Sequence, residues 1–218
     1  MLLFVCIMGF PVVAVDLNRI KLISIPETNI RMMEVEVPQS LYKAVMGENP
    51  SYFKDDNRPV ENVSWYDAIM FCNAFSTKNN YTPVYDVSFS GKGLVITYNS
   101  SANGFRLPTV EEWAFAAKGG ESYIYAGSDN IDEVAWHGKN SSNHTHWVGQ
   151  KKPNGYGLYD MSGNVSEWCW DDDSFGWRGV RGGGWDDTLG FCKISKTWSD
   201  DAGAKYDTRG FRVVQNIK

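Results

Sequence analysis

The chain has no excess of basic residues: its 218 residues include 21 lysines and arginines against 26 aspartates and glutamates, a net charge of -5 at pH 7. A protein that binds a phosphate backbone needs a positively charged face, so nucleic acid is not an expected partner. Cysteines are also few. The four are too scattered along the chain for a disulfide framework or for the closely paired ligands of a zinc site. Cys72, Cys169 and Cys192 are therefore each predicted to be a single buried thiol.

A long hydrophobic run is missing as well, because the apolar start MLLFVCIMGFPVVAV, residues 1–15, is too short to span a bilayer. It is similar to the apolar part of a signal peptide, although no basic residues precede it. Cys6 follows Leu-Phe-Val, a loose match to a bacterial lipoprotein acylation site; the alternative is a buried N-terminal strand with an incidental cysteine. We expect a bacterial protein, secreted or at the cell surface and lipid-anchored if Cys6 is acylated, with residues 1–15 as leader and 16–218 as a single domain.

Common enzyme signatures are absent. The sequence contains no G-x-S-x-G elbow, phosphate loop or H-E-x-x-H. His144 and His146 in NHTHW alternate as on a strand, but further convergent metal ligands are not visible, so we interpret them as surface histidines in a polar loop. No internal repeat, heptad pattern or long apolar helix requires a second chain, and we expect a monomer.

Three short amphipathic helices are predicted in the first half of the chain. QSLYKAVMG predicts a helix over Ser40–Met46 that ends at Gly47, because glycine accepts the left-handed conformation. A second helix follows Ser64 as N-cap. In TVEEWAFAAKGG, Thr109 and Glu112 fit a capping box at the start of a third.

The remaining segments predict short strands and loops. GLVITY predicts a strand over Leu94–Tyr98, and Gly210–Val214 alternates like a closing strand. After Gly120 the helical period disappears, and such irregular chain must be either functional or tied down internally. The tail, residues 169–209, sets aspartates and aromatics among glycines, a composition typical of a paratope. The alternative is a solvated loop over a tryptophan-rich core.

Four ordered segments are more specific than composition. They are NRPVENVSWYDAIMFCN (Asn57–Asn73), GFRLPTVEEWAFAAKGG (Gly104–Gly120), KPNGYGLYDMSGNVSEWCWD (Lys152–Asp171), and RGGGW together with GFRVV (Arg181–Trp185, Gly210–Val214). In this order they resemble the formylglycine-generating enzyme or sulfatase-modifying-factor domain family. The resemblance implies an α+β, C-type-lectin-like fold with few short helices, small sheets and much irregular structure. Within the second segment, Arg106 can hold a carboxylate as a bidentate pair.

The family's enzymes oxidise a substrate cysteine with two cysteines, two and seven residues after the aromatic that follows Arg-Gly-Gly-Ser. Matched onto Trp185, these positions are Asp187 and Cys192, and the motif serine is Gly184. A thiolate pair is needed to hold copper(I), and aspartate does not replace a thiolate toward this soft ion. The resemblance therefore implies a protein without catalytic residues; the alternative is a degenerate or altered thiol oxidase that uses Cys192 alone.

Family members often hold calcium near a Gly-Asn-x-x-Glu segment, which is matched here by residues 163–167. The resemblance makes Asn164 and Glu167 a candidate structural calcium site, since oxygen donors suit this ion. The alternative is that both side chains bond to turn amides. No other cofactor is expected.

The scaffold with its diverse tail also resembles the variable proteins of diversity-generating retroelements, in which template adenines are randomised. Asparagine codons can then become Asp, Tyr, Phe, Leu, Ser or Gly but never Trp, which implies fixed pillars at Trp177, Trp185 and Trp198. The predicted ligand-binding residues are Asp171, Asp173, Phe175, Trp177, Asp186, Asp187, Leu189, Phe191, Trp198, Ser199, Asp200, Asp201, Tyr206 and Asp207. Acidic and aromatic side chains suit a cationic protein surface or a sugar, and we favour a protein ligand.

Overall fold

The computed structural model describes residues 20–91, 93–172 and 176–217, which leaves the predicted leader and Cys6 outside the described part. The helices there are α1 (Gln39–Met46), α2 (Trp65–Lys78), α3 (Val110–Lys118) and α4 (Ile131–Val134). The strands are β1 (Leu22–Ser24), β2 (Ile30–Met33), β3 (Tyr85–Ser90), β4 (Gly93–Tyr98), β5 (Phe105–Arg106), β6 (Ser166–Asp172), β7 (Arg178–Arg181), β8 (Trp198–Asp200), β9 (Arg209–Gly210) and β10 (Val214–Asn216). Short helices, small sheets and long irregular connections confirm the predicted α+β class. None of the described helices has the length and apolar character needed to cross a membrane.

Local hydrogen bonds fix the helix boundaries that were predicted. Gly47 ends α1 in the left-handed conformation, with φ 86°, and donates its backbone N–H to the carbonyl of Lys43. Ser64 and Asp67 form a capping box at the start of α2, and Thr109 and Glu112 form a second one at α3. These predictions are confirmed because each cap involves residues only three or four positions apart.

Three small sheets arrange the strands. The first has the order β1-β2-β10-β5, with β10 antiparallel to both neighbours. The second is the β3-β4 hairpin, and it contains the predicted strand Leu94–Tyr98. The third has the order β8-β7-β6-β9, in which β6 and β9 are parallel. The last forty residues thus enter two different sheets.

Two predictions about the second half are wrong. Gly210–Val214 is not one alternating strand: Gly210 ends β9, Val214 begins β10, and residues 211–213 cross from one sheet to the other. All three crossing residues are fully buried, so the chain is packed on both sides and no alternation develops. A helix does occur after Gly120, since Ile131–Val134 forms a single turn too short to show a helical period.

The core is organised around tryptophans outside the predicted tail set. Trp65, Trp113 and Trp168 are fully buried, and the Trp65 and Trp168 indole N–H groups donate to backbone carbonyls at 2.9 and 3.0 Å. Trp177 is half exposed, and Trp185 and Trp198 are partly buried. The three described cysteines are buried and free, as predicted.

Buried ion pairs hold the crossing segment in place. Arg212 and Glu167 are both fully buried, and the Arg212 Nε and Nη2 atoms donate to the carboxylate at 2.7 to 2.9 Å. Nearer the surface, Arg106 pairs with both oxygens of Glu112 at 2.6 and 2.7 Å. This is the predicted bidentate pair, and it links the entry of α3 to its own capping box.

Candidate ligand-binding site

A concave pocket of about 230 Å³ opens beside β8 and β9 in the tail. Its lining residues are Ser166, Asp186, Asp187, Phe191, Trp198, Asp200, Tyr206, Thr208 and Arg209. Six of the fourteen predicted ligand-binding residues are among them: Asp186, Asp187, Phe191, Trp198, Asp200 and Tyr206. The tail composition therefore pointed to residues that the fold brings to one concavity.

Backbone hydrogen bonds position the pocket walls. The Asp187 N–H donates to the Gly184 carbonyl at 3.1 Å, and the Gly184 N–H donates to Asp187 Oδ2 at 2.9 Å. The Asp187 carbonyl accepts a further bond from the Gly138 N–H. On the opposite wall, Trp198 and Asp200 lie two residues apart on β8, which pairs with β7, and so share one face. Backbone hydrogen bonds hold both walls and do not depend on which side chains line the pocket. The exception is the bond that the Asp187 carboxylate accepts from the Gly184 N–H.

The pocket is acidic. The carboxylate of Asp200 pairs with Arg209, Oδ2 to Nη1 at 2.7 Å, and the Arg209 guanidinium also lies over the rings of Trp168 and Tyr206. Burial and the neighbouring Asp187 raise the pKa of Asp186. Burial also raises the pKa of Asp187, an effect that its bond from the Gly184 amide opposes. The charge of Arg209 also opposes the rise at Asp187, but burial outweighs both effects.

Other predicted residues have structural roles. The Asp171 carboxylate accepts the Val110 N–H at the start of α3, outside the pocket. Leu189 packs against a buried cluster that contains Cys192. Asp201 accepts the Gly203 N–H and so closes a turn. The structure thus gives each of these three side chains a contact within the chain.

The remaining predicted residues lie around or away from the pocket. Trp177 is half exposed and precedes β7, and Ser199 lies in β8 opposite Gly179. The Asp207 carbonyl accepts the Trp185 indole N–H at 3.0 Å. Asp173 and Phe175 lie outside the described residues.

The two positions matched to the enzyme cysteines differ in exposure. Asp187 lines the pocket, whereas Cys192 is fully buried and does not line it. Burial, with smaller contributions from Asp187 and Asp186, raises the pKa of the Cys192 thiol to about 12. In the described ranges no group of three or more His, Cys, Asp or Glu side chains could hold a metal ion. A protonated thiol beside an aspartate does not fit copper(I).

The calcium candidates are engaged elsewhere. Both oxygens of Glu167 accept bonds from Arg212, and Oε2 also accepts the Trp113 indole N–H at 2.7 Å. Asn164 Oδ1 accepts the His146 N–H, and its Nδ2 donates to Glu36. These side chains therefore do not fit a calcium ion. Asn164 accepts a backbone amide, as the alternative had it, whereas Glu167 bonds to the Arg212 and Trp113 side chains and not to turn amides.

The two histidines come together, with ring centroids 4.5 Å apart, but they are partly buried and not simply surface residues. His146 stacks on Trp136 at 3.7 Å, and its Nε2 lies 2.7 Å from the Ser141 carbonyl. His144 Nδ1 lies 3.1 Å from Arg58 Nη1. The hydrogen bonds of these ring nitrogens thus help to hold the 137–148 loop in place.

Sequence reasoning missed several contributors. Arg209 binds Asp200 and, through Nε, Ser166 Oγ at 3.3 Å, a residue 43 positions away. Beside the pocket, Trp185 packs edge-on against Phe53 at 5.5 Å, and Phe53 packs against Tyr52, whose side chain is 71% exposed. No local pattern marks Arg209 or Phe53, because Ser166 and Trp185, with which they make contact, are distant in the chain.

This fold and this pocket define a C-type-lectin-like domain of the formylglycine-generating type in which the first cysteine position is a partly buried aspartate that lines the pocket and the second is a buried thiol. Residues 15–217 match the sulfatase-modifying factor enzyme 1-like domain, and the chain belongs to this family, as predicted.

Relatives of several kinds are similar to the chain. The Chaperone protein LppX of Paenibacillus barcinonensis is 40% identical, over 83% of this chain and 78% of its own length. The formylglycine-generating enzyme of Thermomonospora curvata is 30% identical, over 67% of this chain and 44% of that enzyme. Among solved structures, Treponema denticola variable protein 1 has a TM-score of 0.80 and 33% identity, covering 90% of this chain and 91% of its own. The predicted resemblance to a variable protein is confirmed.

Proposed function

We propose that the protein is a non-catalytic binding protein that holds a polypeptide ligand in and around the tail pocket. The observation that carries this proposal is that the predicted binding residues are accessible in a pocket, whereas the cysteine at an enzyme position is not accessible. Six predicted binding residues line the pocket, while the thiol at the second matched enzyme position is buried behind it. Three aromatic side chains line this concavity together with six polar or charged residues, and binding sites commonly combine ring surfaces with convergent polar groups in a concave shape.

Catalysis of the formylglycine type is the alternative, and the chemistry of Cys192 disfavours it. The thiolate is the reactive form of cysteine, and a thiol with a pKa near 12 is almost entirely protonated at neutral pH. Asp187 offers a hard oxygen donor where a soft sulfur donor would be needed. The two matched positions therefore provide no thiolate pair to bind copper(I) for a reaction with oxygen.

A polypeptide suits this surface better than a sugar for two reasons. The similar protein from Paenibacillus barcinonensis is named a chaperone, and polypeptides are what chaperones bind. In addition, Tyr52, Phe53 and Trp185 extend the aromatic surface beyond the pocket, and such rings are enriched where proteins meet proteins. The proposed binding surface is then larger than the area that one side chain of a ligand would cover.

We further propose that the pocket residues are diversified between copies of the gene, as the likeness to a variable protein suggests. Random substitution is tolerated only at exposed positions whose backbone is held by other residues. Asp186, Phe191 and Tyr206 meet this condition, since all three are exposed. A near-copy of the coding DNA for residues 171–209 beside a reverse transcriptase, differing mainly at adenines, is the expected genomic sign; even mismatches over scaffold and tail would contradict it.

We also propose that the protein acts outside the cytoplasm, secreted or held at the cell surface. The apolar segment 1–15 and Cys6 support this placement, and both lie outside the described residues. Mass spectrometry of the mature protein tests it: a diacylglycerol on Cys6, or cleavage near residue 15, is expected. An intact N-terminus in the cytoplasmic fraction would contradict the proposal.

The decisive enzymatic test incubates the purified protein with a cysteine peptide, copper and oxygen. The peptide thiol is expected to remain unchanged, with the Thermomonospora curvata enzyme as positive control; formation of formylglycine would overturn the proposal.

Binding is tested with a displayed peptide library. Peptides selected by the wild type should lose binding to Tyr206→Ala but keep it with Tyr123→Ala, a control with similar exposure (45% and 43%) away from the pocket. Equal binding to both variants would place the binding surface elsewhere.

A further inference from the structure

We propose that the pocket receives a cationic side chain of the polypeptide ligand, with arginine as the preferred residue. This inference rests on the proposed function and names the chemical group that the site would take. Its basis is the combination of two carboxylates without a salt bridge, partly exposed aromatic side chains and a concave shape at one place.

The charges inside the pocket do not balance. Asp186, Asp187 and Asp200 face one guanidinium, that of Arg209. Arg209 forms its salt bridge with Asp200 at 2.7 Å, bonds to Ser166 Oγ and lies over two aromatic rings, and its charge only partly offsets the raised pKa of Asp187. The salt bridges formed by the described residues include no partner for Asp186 or Asp187. A positive group would therefore stabilise these two adjacent carboxylates, which lie in a partly desolvated concavity and have no salt bridge.

The aromatic walls suit the same kind of group. Phe191 and Tyr206 are 39% and 45% exposed, and Phe191 packs edge-on against Trp198 at 5.5 Å. Their ring faces already attract cations of the chain itself: Lys196 Nζ lies 5.0 Å from the Phe191 ring, and the Arg209 guanidinium lies 4.9 Å from the Tyr206 ring. Ring faces of this kind bind ammonium and guanidinium groups.

Other occupants fit less well. A metal ion would need three or more convergent ligands, and the described side chains form no such group. A neutral sugar would leave the charge of Asp186 and Asp187 uncompensated. Between the two cationic side chains, a planar guanidinium can donate two parallel bonds to carboxylates and also stack on a ring, whereas an ammonium is a compact point charge. These properties favour arginine over lysine.

The test compares two peptides of equal shape. Ac-Gly-Arg-Gly-NH2 and its neutral citrulline analogue are titrated into the full protein, with binding followed by tryptophan fluorescence. We expect the arginine peptide to bind roughly tenfold more tightly, and added salt to reduce the difference. In an Asp186→Asn, Asp187→Asn double variant the preference should disappear. Asparagine can still accept the Gly184 N–H, so the fold should persist, as circular dichroism can verify. The matched control Asp201→Asn, outside the pocket, should bind like the wild type.

The outcomes separate this inference from the proposed function. Equal affinity for the two peptides, no binding of either, or a preference that survives the double variant would overturn the arginine inference alone. Selected library peptides that bind through Tyr206 but contain no cationic residue would do the same while supporting the proposed function. Formylglycine formation would overturn the proposed function and leave the measured charge preference standing.

Discussion

Glu61 provides the sharpest prediction about stability. Its side chain is fully buried, Oε1 accepts the Phe53 N–H at 2.8 Å, and Oε2 has no hydrogen-bond partner among the described residues. Burial raises the pKa of Glu61 to about 7, with a further contribution from Asp207, while amide donors from residues 52 and 53 oppose the rise. The folded protein therefore retains a proton that the unfolded chain releases near pH 4.5.

The sign of the effect follows from proton binding. Between these two pKa values the folded state binds more protons than the unfolded state, so the free energy of unfolding falls as pH rises. The difference between 4.5 and about 7 corresponds to about 3 kcal/mol of stability, present at low pH and lost once pH exceeds the folded-state value.

Glu61→Gln removes this titration and keeps an oxygen acceptor for the Phe53 N–H. Relative to the wild type, the variant should gain about 3 kcal/mol between pH 4.5 and pH 8. Urea unfolding followed by tryptophan fluorescence at several pH values measures the difference. The exposed control Glu48→Gln should follow the wild-type curve. Parallel stability curves for wild type and Glu61→Gln would refute the reasoning, because they would mean that Glu61 titrates alike in both states.

Three further predictions concern the scaffold. Arg212→Met should cost roughly 3 to 5 kcal/mol in urea unfolding, since it leaves Glu167 buried and unpaired; a loss below about 1 kcal/mol would contradict this. Gly163→Ala should cost roughly 2 to 4 kcal/mol, because at φ 80° a Cβ would lie 2.2 Å from a backbone oxygen. The control Gly47→Ala, with φ 86° and no atom within 4 Å, should cost only about 1 kcal/mol, and equal losses would count against the packing argument. Thr109→Ala should lower stability by about 1 kcal/mol, measured by thermal unfolding, through loss of the α3 cap; an unchanged melting temperature would argue that the cap contributes nothing.

Much of the fold was predictable because its signals are local or motif-based. The end of α1 and the starts of α2 and α3 follow from caps within a few residues, and the ordered motifs indicated the family. The closing strand was not predictable in detail. Alternation suggested one strand over Gly210–Val214, but Phe211, Arg212 and Val213 are buried on every side by neighbours far away in sequence.

The composition of the pocket was predictable from the sequence, but the full set of residues that line it was not. Acidic and aromatic residues marked the tail, yet Asp171 faces α3 and Asp201 closes a turn, while Arg209 and Ser166 line the pocket without a local sign. A side chain's direction depends on which neighbouring strand or helix it meets. That partner lies up to 61 residues away for Asp171 and 43 for Arg209.

By itself the sequence determined the helix caps, the family and the replacement of one enzyme cysteine by Asp187, since these depend on residue identity and short spacing. Tertiary structure decided that Cys192 is buried with a raised pKa, that six tail residues share one pocket, and that Arg209 forms a salt bridge with only one of the three aspartates there. Burial and electrostatic pairing arise from contacts between distant segments. Their energies depend on the local dielectric and on distances of a few ångströms, quantities that exist only once the chain has folded.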